Sequence, residues 1–457
     1  MRVIIFGTGA VYAKNKKKLS ELNIVAFLDN NLDKQGTYLN GKFVDSPENI
    51  KKYEFDYILI ASVHYKEMRE QLNVLGVDSK VIIDAENRGY WDQIRKTEMY
   101  ELTENSSADK KILLITHDFS LTGAPIMLYY AAKILKKNGY DVTVCSKEDG
   151  PLKHDYLSNG ISVWIFENYD FSDYEINWYF TKYSMIFVNT AVLCELVKKL
   201  ENVDAPVMWW LHEEDNIYKE YQIKEIPKYE NLYVYCVSKR AISSYEKYSG
   251  YMNAKLLIYG IPDETYKSQI NCKTDNRKII YAIIGCVSER KGHDIFMSSI
   301  KKNWDKWKDN AEFWVIGVMT EAQRKEMEAT GKVKVFGSID HGDLLKIYSE
   351  IDVVVCPSRN DPMPVVLAEA MMNKKICVAS DMTGTAEMII PYENGLVCHA
   401  GDVDSLSQQI EWILDHKEQL GSMGEKAYEV YRQNFSQEQF QIRLCRIVDN
   451  IIDKKEV

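Results

Sequence analysis

Short apolar runs recur along the chain, each closed by a loop that feeds a longer segment of mixed polarity. In the first hundred residues they fall at 2–6 (RVIIF), 23–28 (NIVAFL), 56–61 (DYILIA) and 80–84. They resume near 112–116, 141–145, 161–166, 185–189, 206–211 and 233–237. A last set lies near 279–285, 312–316, 333–336, 352–356, 376–379 and 396–398. Runs of this length bounded by turn residues predict strands. Three times the pattern restarts alike, at RVIIFGTGA (2–10), KILLITHDFSLTGAP (111–125) and KIIYAIIGCVSERKG (278–292). A strand that enters a helix through a glycine-bearing loop opens a doubly wound sheet. The fold class expected is therefore α/β, with three such units in series.

Residues 98–110 are polar and without periodicity, which predicts a linker, and 268–278 (SQINCKTDNRK) reads as a polar joint. Helical pattern dominates from about residue 403, and SQEQFQIRLCRIVDNIIDKK carries apolar residues at 440, 442, 444, 447, 448, 451 and 452. That is an amphipathic stripe. The expected division is 1–97, the linker, 111–272, 273–437 and a C-terminal helix 438–457 that packs back on the 111–272 domain.

Composition narrows the class. A chain of 457 residues, 46% apolar and 27% charged, is a globular protein too long for one ordinary core. A formal charge of −10 argues against a nucleic-acid binder, which needs a basic footprint. Lysines cluster at 14–18, 133–137 and 198–199, where they read as solvated helix faces. The nine cysteines are scattered singly with no C-x-x-C pair, and Cys145, Cys236 and Cys356 sit in apolar runs, so a reduced compartment is expected. The opening MRVIIFGTGAVYAKNKKK is not built as a signal peptide, and no window reaches the roughly 18 to 20 apolar residues of a membrane span. The expected location is cytoplasmic, with peripheral contact at the inner face of a membrane as the variant of that reading.

The candidate chemistry lies in the third unit. In SRNDPMPVVLAEAMMNKK (358–375) one carboxylate, Asp361, stands just before two prolines, and a second, Glu369, follows eight positions later. Pro364 suits a first helical turn, where its missing N–H would be unpaired anyway. The N–H groups of Val365 and Val366 then point out of a helix mouth, a ready anion site. Anion donors flanked by carboxylates suit a ligand with phosphates in its middle and hydroxyls at both ends, the shape of a nucleotide sugar. The same residues also read as a helix-surface charge and a loop cap. Lys291, with Arg290 beside it, stands where it could neutralise a diphosphate at a helix N-terminus; a basic surface turn is the plainer reading. The backbone around Val335, Phe336 and Gly337 ends a strand where a base could stack.

Taken together, GCVSERKG, VFGSID, YSEIDVVVCPSRNDPMPVVLAEAMMNKK, SDMTGTAEMI and ENGLV, in that order, resemble the C-terminal half of retaining GT-B glycosyltransferases of the GT4 type. THDFSLTGAPIMLYYAAKIL, PVMWWLHEED, CVSKRAISSYEKY and LLIYGIPDE resemble its acceptor-side half, so the likeness covers roughly residues 111–445. The resemblance implies two facing Rossmann-like domains, an acceptor-side one at 111–272 and a nucleotide-sugar-binding one at 273–437, preceded by a smaller Rossmann-like domain. It also implies that Asp361 and Glu369, at the family's acid-x7-acid spacing, hold the donor with Arg290, Lys291, Phe336, Met363, Val365 and Val366. Gly123 is expected to face the diphosphate from the other side, with His117 and Thr122 close to it in sequence. His212 is expected near the donor sugar and acceptor, and His212, Asp361 and Lys291 are the residues expected in catalysis. The family usually carries Glu at position 361, Gly at 364 and often Arg at 286; this chain has Asp, Pro and Cys.

The activity so implied is transfer of a sugar from a nucleoside-diphosphate sugar to a hydroxyl on a glycan, lipid-linked or protein-linked acceptor, in surface-polysaccharide or glycan synthesis. No cofactor and no metal are expected. GDVDSL (401–406) looks like a D-x-D metal motif, but Asp402 and Asp404 stand where a helix begins and read as caps. A nucleotide-sugar epimerase of the same fold, and a catalytically silent partner in a polysaccharide assembly, are the rival readings. The N-terminal FGTGAVYAKN has G-x-G without a third glycine, with Asp29 after the second strand. With VAFLDNN, VDSPENI and DYILIAS it resembles modules attached to surface-polysaccharide enzymes, and a structural or regulatory role is expected there rather than an NAD-using site.

Overall fold

A computed structural model of the chain describes residues 2–19, 22–84, 97–100, 110–166, 169, 171, 176, 179–264, 277–339 and 341–453. The middle of the expected linker, most of the expected joint at 268–278 and the end of the C-terminal segment lie outside these residues. The chain gathers into two compact units: one up to Phe119 with Asp141–Ile186 and Glu195–Ala205, the other Ser120–Tyr140, Phe187–Cys194 and Pro206 onward. This grouping cuts across the second of the three expected domains.

In the first unit, β1 (Arg2–Phe6), β2 (Asn23–Leu28), β3 (Tyr38–Leu39), β4 (Lys42–Asp45), β5 (Tyr57–Ile60) and β6 (Ile82–Asp84) form a sheet of order β3-β4-β2-β1-β5-β6. Successive side chains alternate in direction, so each apolar run feeds two cores. Val3, Ile5, Phe27 and Leu59 fill one face, and Ile4, Phe6, Leu28 and Ile58 the other. The same unit holds β7 (Thr97–Tyr100), β8 (Lys111–Thr116), β9 (Asp141–Ser146) and β10 (Ser162–Phe166). β7 pairs antiparallel with β10, Met99 opposite Trp164, where a linker was expected. Edge strands are short and carry polar residues, so no apolar run announces one.

β11 (Met185–Asn189) is the strand at which the grouping changes. The second unit continues with β12 (Val207–Leu211), β13 (Leu232–Cys236) and β14 (Lys255–Leu256), paired in parallel. Then come β15 (Ile279–Ile284), β16 (Ala311–Ile316), β17 (Lys334–Phe336), β18 (Val353–Cys356), β19 (Ile376–Ser380) and β20 (Leu396–Cys398). Their sheet has the order β17-β16-β15-β18-β19-β20 and is parallel throughout. Strand order reverses between β15 and β18, so the loops leaving their carboxyl ends diverge and open a crevice.

The C-terminal helix Gln437–Ile452 buries Phe440, Leu444, Val448 and Ile451, the inner stripe of the predicted pattern. Phe440 stacks on Trp210 with ring centroids 5.6 Å apart, and the Tyr140 hydroxyl donates to Asp449 Oδ1 at 2.5 Å. These contacts join the helix to residues of the expected acceptor-side domain, within the second unit. Among the described residues no helix is long and apolar enough to cross a membrane.

Candidate functional site

β18 ends at Cys356, and the helix Val365–Met372 starts after an eight-residue loop. Pro364 is the helix N-cap (φ −68°, ψ 119°), one position ahead of the first-turn place expected for it. Val365 and Val366 therefore present the first N–H groups, which have no intrahelical acceptor and carry the positive end of the helix dipole. The helix is buried from Leu367 to Met372, and Glu369 goes inward with it. Glu369 is 8% exposed, and its Oε2 accepts a hydrogen bond from the Tyr348 hydroxyl at 2.9 Å.

The mouth of this helix opens on a cavity of about 320 Å³, which Gly123, Val365, Val366 and Glu369 all line. Gly123 opens the helix Gly123–Lys137, and no atom lies within 4 Å of where its Cβ would stand, so backbone faces open space. Four of the residues expected at a donor site thus line one cavity, and Tyr130, Glu264, Gly285 and Ser338, which were not among those expected, line it too. Tyr130 had a signal: it lies two turns on from Gly123, on the same helix face. Its phenol is pushed well above the usual value, by burial first and then by the charges of Glu264 and Glu369. Cys286, where the family often has arginine, is an exposed free thiol in this lining.

Lys291, Arg290 and Asp361 do not line the cavity; they form a cluster on the loop that leads to it. Lys291 Nζ lies 2.5 Å from Asp361 Oδ2, and Arg290 Nη1 lies 3.7 Å from the same oxygen. Asp361 is 6% exposed and pinned by its backbone, donating N–H to Met382 O at 3.2 Å and accepting from Gly384 N at 3.0 Å. Gly292, next to Lys291, has φ +76°, and a Cβ there would meet Pro357 O at 2.1 Å. Only glycine lets the basic turn press so close.

Phe336, Met363 and His212 also stand off the cavity. The Phe336 ring tilts against Trp314 at 4.9 Å and its carbonyl accepts from Gly317 N at 3.4 Å, so main-chain groups there are turned to their own sheet. Met363 is buried, and its carbonyl accepts from the Tyr259 hydroxyl at 3.0 Å. His212 follows the carboxyl end of β12 as expected, its ring 4.4 Å from that of Trp210. In the other unit His117 follows β8 with Nε2 3.3 Å from Asp118, its basicity lowered by burial.

Glu213 is buried, and its Oε2 accepts N–H bonds from Ala191 (2.9 Å) and His212 (2.8 Å). Burial pushes its carboxyl up to about 7 from an ordinary 4.5, the three backbone bonds offsetting only part. The protonated form is thus favoured by folding. The stability so gained is complete below pH 4.5 and lost as pH rises through 7. Glu213→Gln, which cannot ionise, should gain on the wild type by up to about 3 kcal/mol between pH 5 and pH 8. Denaturant unfolding at the two pH values checks this; an unchanged difference contradicts it.

Asp402 caps the helix Val403–Asp415, accepting from the N–H groups of Asp404 and Ser405 at 2.8 and 3.0 Å. Among the described residues no group of three or more His, Cys, Asp and Glu side chains is arranged to hold a metal ion. In the N-terminal sheet Asp29 is 7% exposed; it accepts the Thr8 N–H at 2.9 Å, takes the Thr8 hydroxyl and lies 3.2 Å from Lys34 Nζ. That acid is engaged by its own glycine loop.

Residues 262–430 match the family described as Glycosyl transferases group 1, residues 108–250 the Glycosyl-transferase family 4, and residues 1–83 the family C2185-like, N-terminal. The first two are glycosyltransferase families matched in series, at 108–250 and 262–430, and the fold of the chain is the GT-B architecture. Granule-bound starch synthase 1 of Pisum sativum is 26% identical over 187 residues, 39% of this chain and 28% of that protein. The lipopolysaccharide core biosynthesis mannosyltransferase LpcC of Rhizobium leguminosarum bv. viciae is 26% identical over 168 residues, 34% of this chain and 47% of that one. The chain thus spans less than half the length of either relative. Among solved structures, Anabaena HepE in complex with UDP and glucose superposes with a TM-score of 0.61 at 16% identity, covering 75% of this chain and 100% of that one. The sucrose-phosphate synthase of Thermosynechococcus elongatus superposes with a TM-score of 0.63 at 17% identity, covering 76% and 100%.

Proposed function

We propose that the chain transfers a sugar from a nucleoside-diphosphate sugar to a hydroxyl acceptor, with retention at the anomeric carbon and without a metal. The observation that carries this is the shared cavity: helix-mouth N–H groups at Val365 and Val366, open backbone at Gly123, and the buried Glu369 on one wall. The diphosphate would lie against the mouth, its charge met by Lys291 and Arg290, and the ribose hydroxyls would reach Glu369. Asp361 would take hydroxyls of the sugar. Both acids then hold the donor, which leaves no paired carboxylates to work across the bond as in glycoside hydrolysis. The bond from the anomeric carbon to the diphosphate oxygen breaks with its electron pair going to the phosphate. The acceptor oxygen bonds to the same face of that carbon, and its proton passes to the departing phosphate. The basic turn and helix mouth stabilise the charge that develops. HepE is described with UDP and glucose bound and LpcC is described as a mannosyltransferase, which favours a hexose donor. A polysaccharide or lipid-linked glycan is the acceptor class this supports, met at or near a membrane surface. The module at 1–83 is proposed to serve structure or regulation.

A panel of nucleoside-diphosphate sugars, incubated with the protein and read by mass spectrometry, tests the proposal. One donor should be hydrolysed slowly alone and consumed faster with a glycan acceptor. Conversion of a donor to its epimer without acceptor would establish the rival activity, and no reaction with any donor would remove the proposal.

A further inference from the structure

Asn360 stands directly before Asp361, and both its backbone and its side chain are engaged. Its backbone carbonyl accepts a hydrogen bond from Arg290 Nη1 at 2.8 Å, and its side-chain Nδ2 donates to Glu214 Oε2 at 2.9 Å. Glu214 follows β12, two residues beyond His212, and is 3% exposed. Arg240 grips it with two parallel bonds, Nε to Oε1 and Nη2 to Oε2, each 3.0 Å. A chain of polar groups therefore runs from the basic turn through Asn360 to the loop that carries His212. The neighbouring residues repeat the link: Tyr259 holds the Met363 carbonyl, and a Cβ at Gly384 would lie 2.8 Å from the Ser238 Cβ.

A buried ion pair is a poor way to gain stability, because desolvation cancels much of the attraction and an apolar pair of the same volume serves as well or better. What a forked Arg–carboxylate pair supplies is direction. Here both oxygens of Glu214 are fixed in place, and the one that faces Asn360 sets where the loop before Asp361 can lie.

We propose that Glu214 is a positioning residue of the donor site, fixing through Asn360 the placement of Asp361 against Arg290 and Lys291. This rests on the sugar-transfer reading given above. It locates the effect at the sugar end of the donor, because the nucleotide end would lie in the cavity lined by Glu369, and the bonds of Glu214 run to Arg240 and Asn360 instead.

The experiment compares Glu214→Ala, Asn360→Ala, the double variant and Glu214→Gln, using UDP and UDP-glucose with GDP and GDP-mannose beside them. Each single alanine variant should lower kcat by about 10- to 100-fold, the cost of a misplaced reacting group. Binding of UDP or GDP alone should stay within about twofold of wild type. The double variant should be no slower than the worse single one, since both break one connection. Glu214→Gln, which keeps an oxygen for Asn360, should recover most of the rate. Wild-type rates in both alanine variants would overturn the inference, as would losses that multiply or nucleotide binding that weakens in step with kcat. Wild-type protein inert toward every donor would remove the sugar-transfer reading itself, and this inference with it.

Discussion

Replacing Lys291 by alanine should lower kcat about a thousandfold in a protein that still folds. Lys291 is the closest cation to Asp361, at 2.5 Å, with Arg290 the next at 3.7 Å. In the proposed reaction its ammonium would be shared with the departing diphosphate, whose charge grows as the sugar bond breaks. Removing one preorganised donor of that kind commonly costs about 10²- to 10³-fold. A second loss follows from the resting state. Asp361 is 6% exposed, and a carboxylate left short of its partner there costs about 1–3 kcal/mol of stability. Lys291→Arg keeps the charge but replaces a compact ammonium with a planar fork, so an intermediate rate is expected. Steady-state kinetics together with thermal unfolding check this: a folded Lys291→Ala protein with wild-type kcat would show that the cluster takes no part in the chemistry.

Gly384→Ala should damage the protein more broadly. An added Cβ would stand 1.8 Å from Pro362 O and 2.8 Å from the Ser238 Cβ, and the first of these is backbone that cannot rotate away. Gly384 also donates its N–H to Asp361 O at 3.0 Å, so relief of the clash moves the loop that carries Asp361 and Pro364. Overpacking of this sort costs about 1–3 kcal/mol or more, and a shift of an ångström at a reacting group costs about 10²-fold in rate. The expected result is a clearly lower melting temperature and activity at or below about a hundredth of wild type. Gly421→Ala is the control: no atom lies within 4 Å of its Cβ position, and it sits within the helix Leu420–Val430. Alanine favours helix, so this variant should be as stable as wild type or slightly more. Equal melting temperatures for the two variants would contradict the packing seen around Gly384.

The main strands were legible because parallel strands buried on both faces are written as continuous apolar runs; Ile279–Ile284 and Ile376–Ser380 are such cases. The short strands Tyr38–Leu39, Thr97–Tyr100 and Lys255–Leu256 were not, since pairs this short depend on a partner and not on their own composition. At the candidate site, local pattern pointed to Val365, Val366 and Glu369, because a loop-to-helix junction and the turn that follows it are written by neighbours in sequence, whereas Gly123 came from the family resemblance. Tyr348 under Glu369, and Glu214 beside Asn360, join segments far apart in the chain. WWLHEED did show an acid after a strand end, but nothing in the sequence said which of Glu213 and Glu214 would turn to another segment. The structure divides them: Glu213 bonds to local backbone, Glu214 to Arg240 and Asn360.

The most direct measurement is a crystal structure of the protein soaked with the nucleoside diphosphate of whichever donor the panel selects. Diphosphate oxygens within hydrogen-bond distance of the Val365 and Val366 N–H groups and of Lys291 Nζ, with the ribose on Glu369, are predicted. A nucleotide seated elsewhere, such as at the Gly7–Gly9 loop, with the 320 Å³ cavity empty, would contradict it.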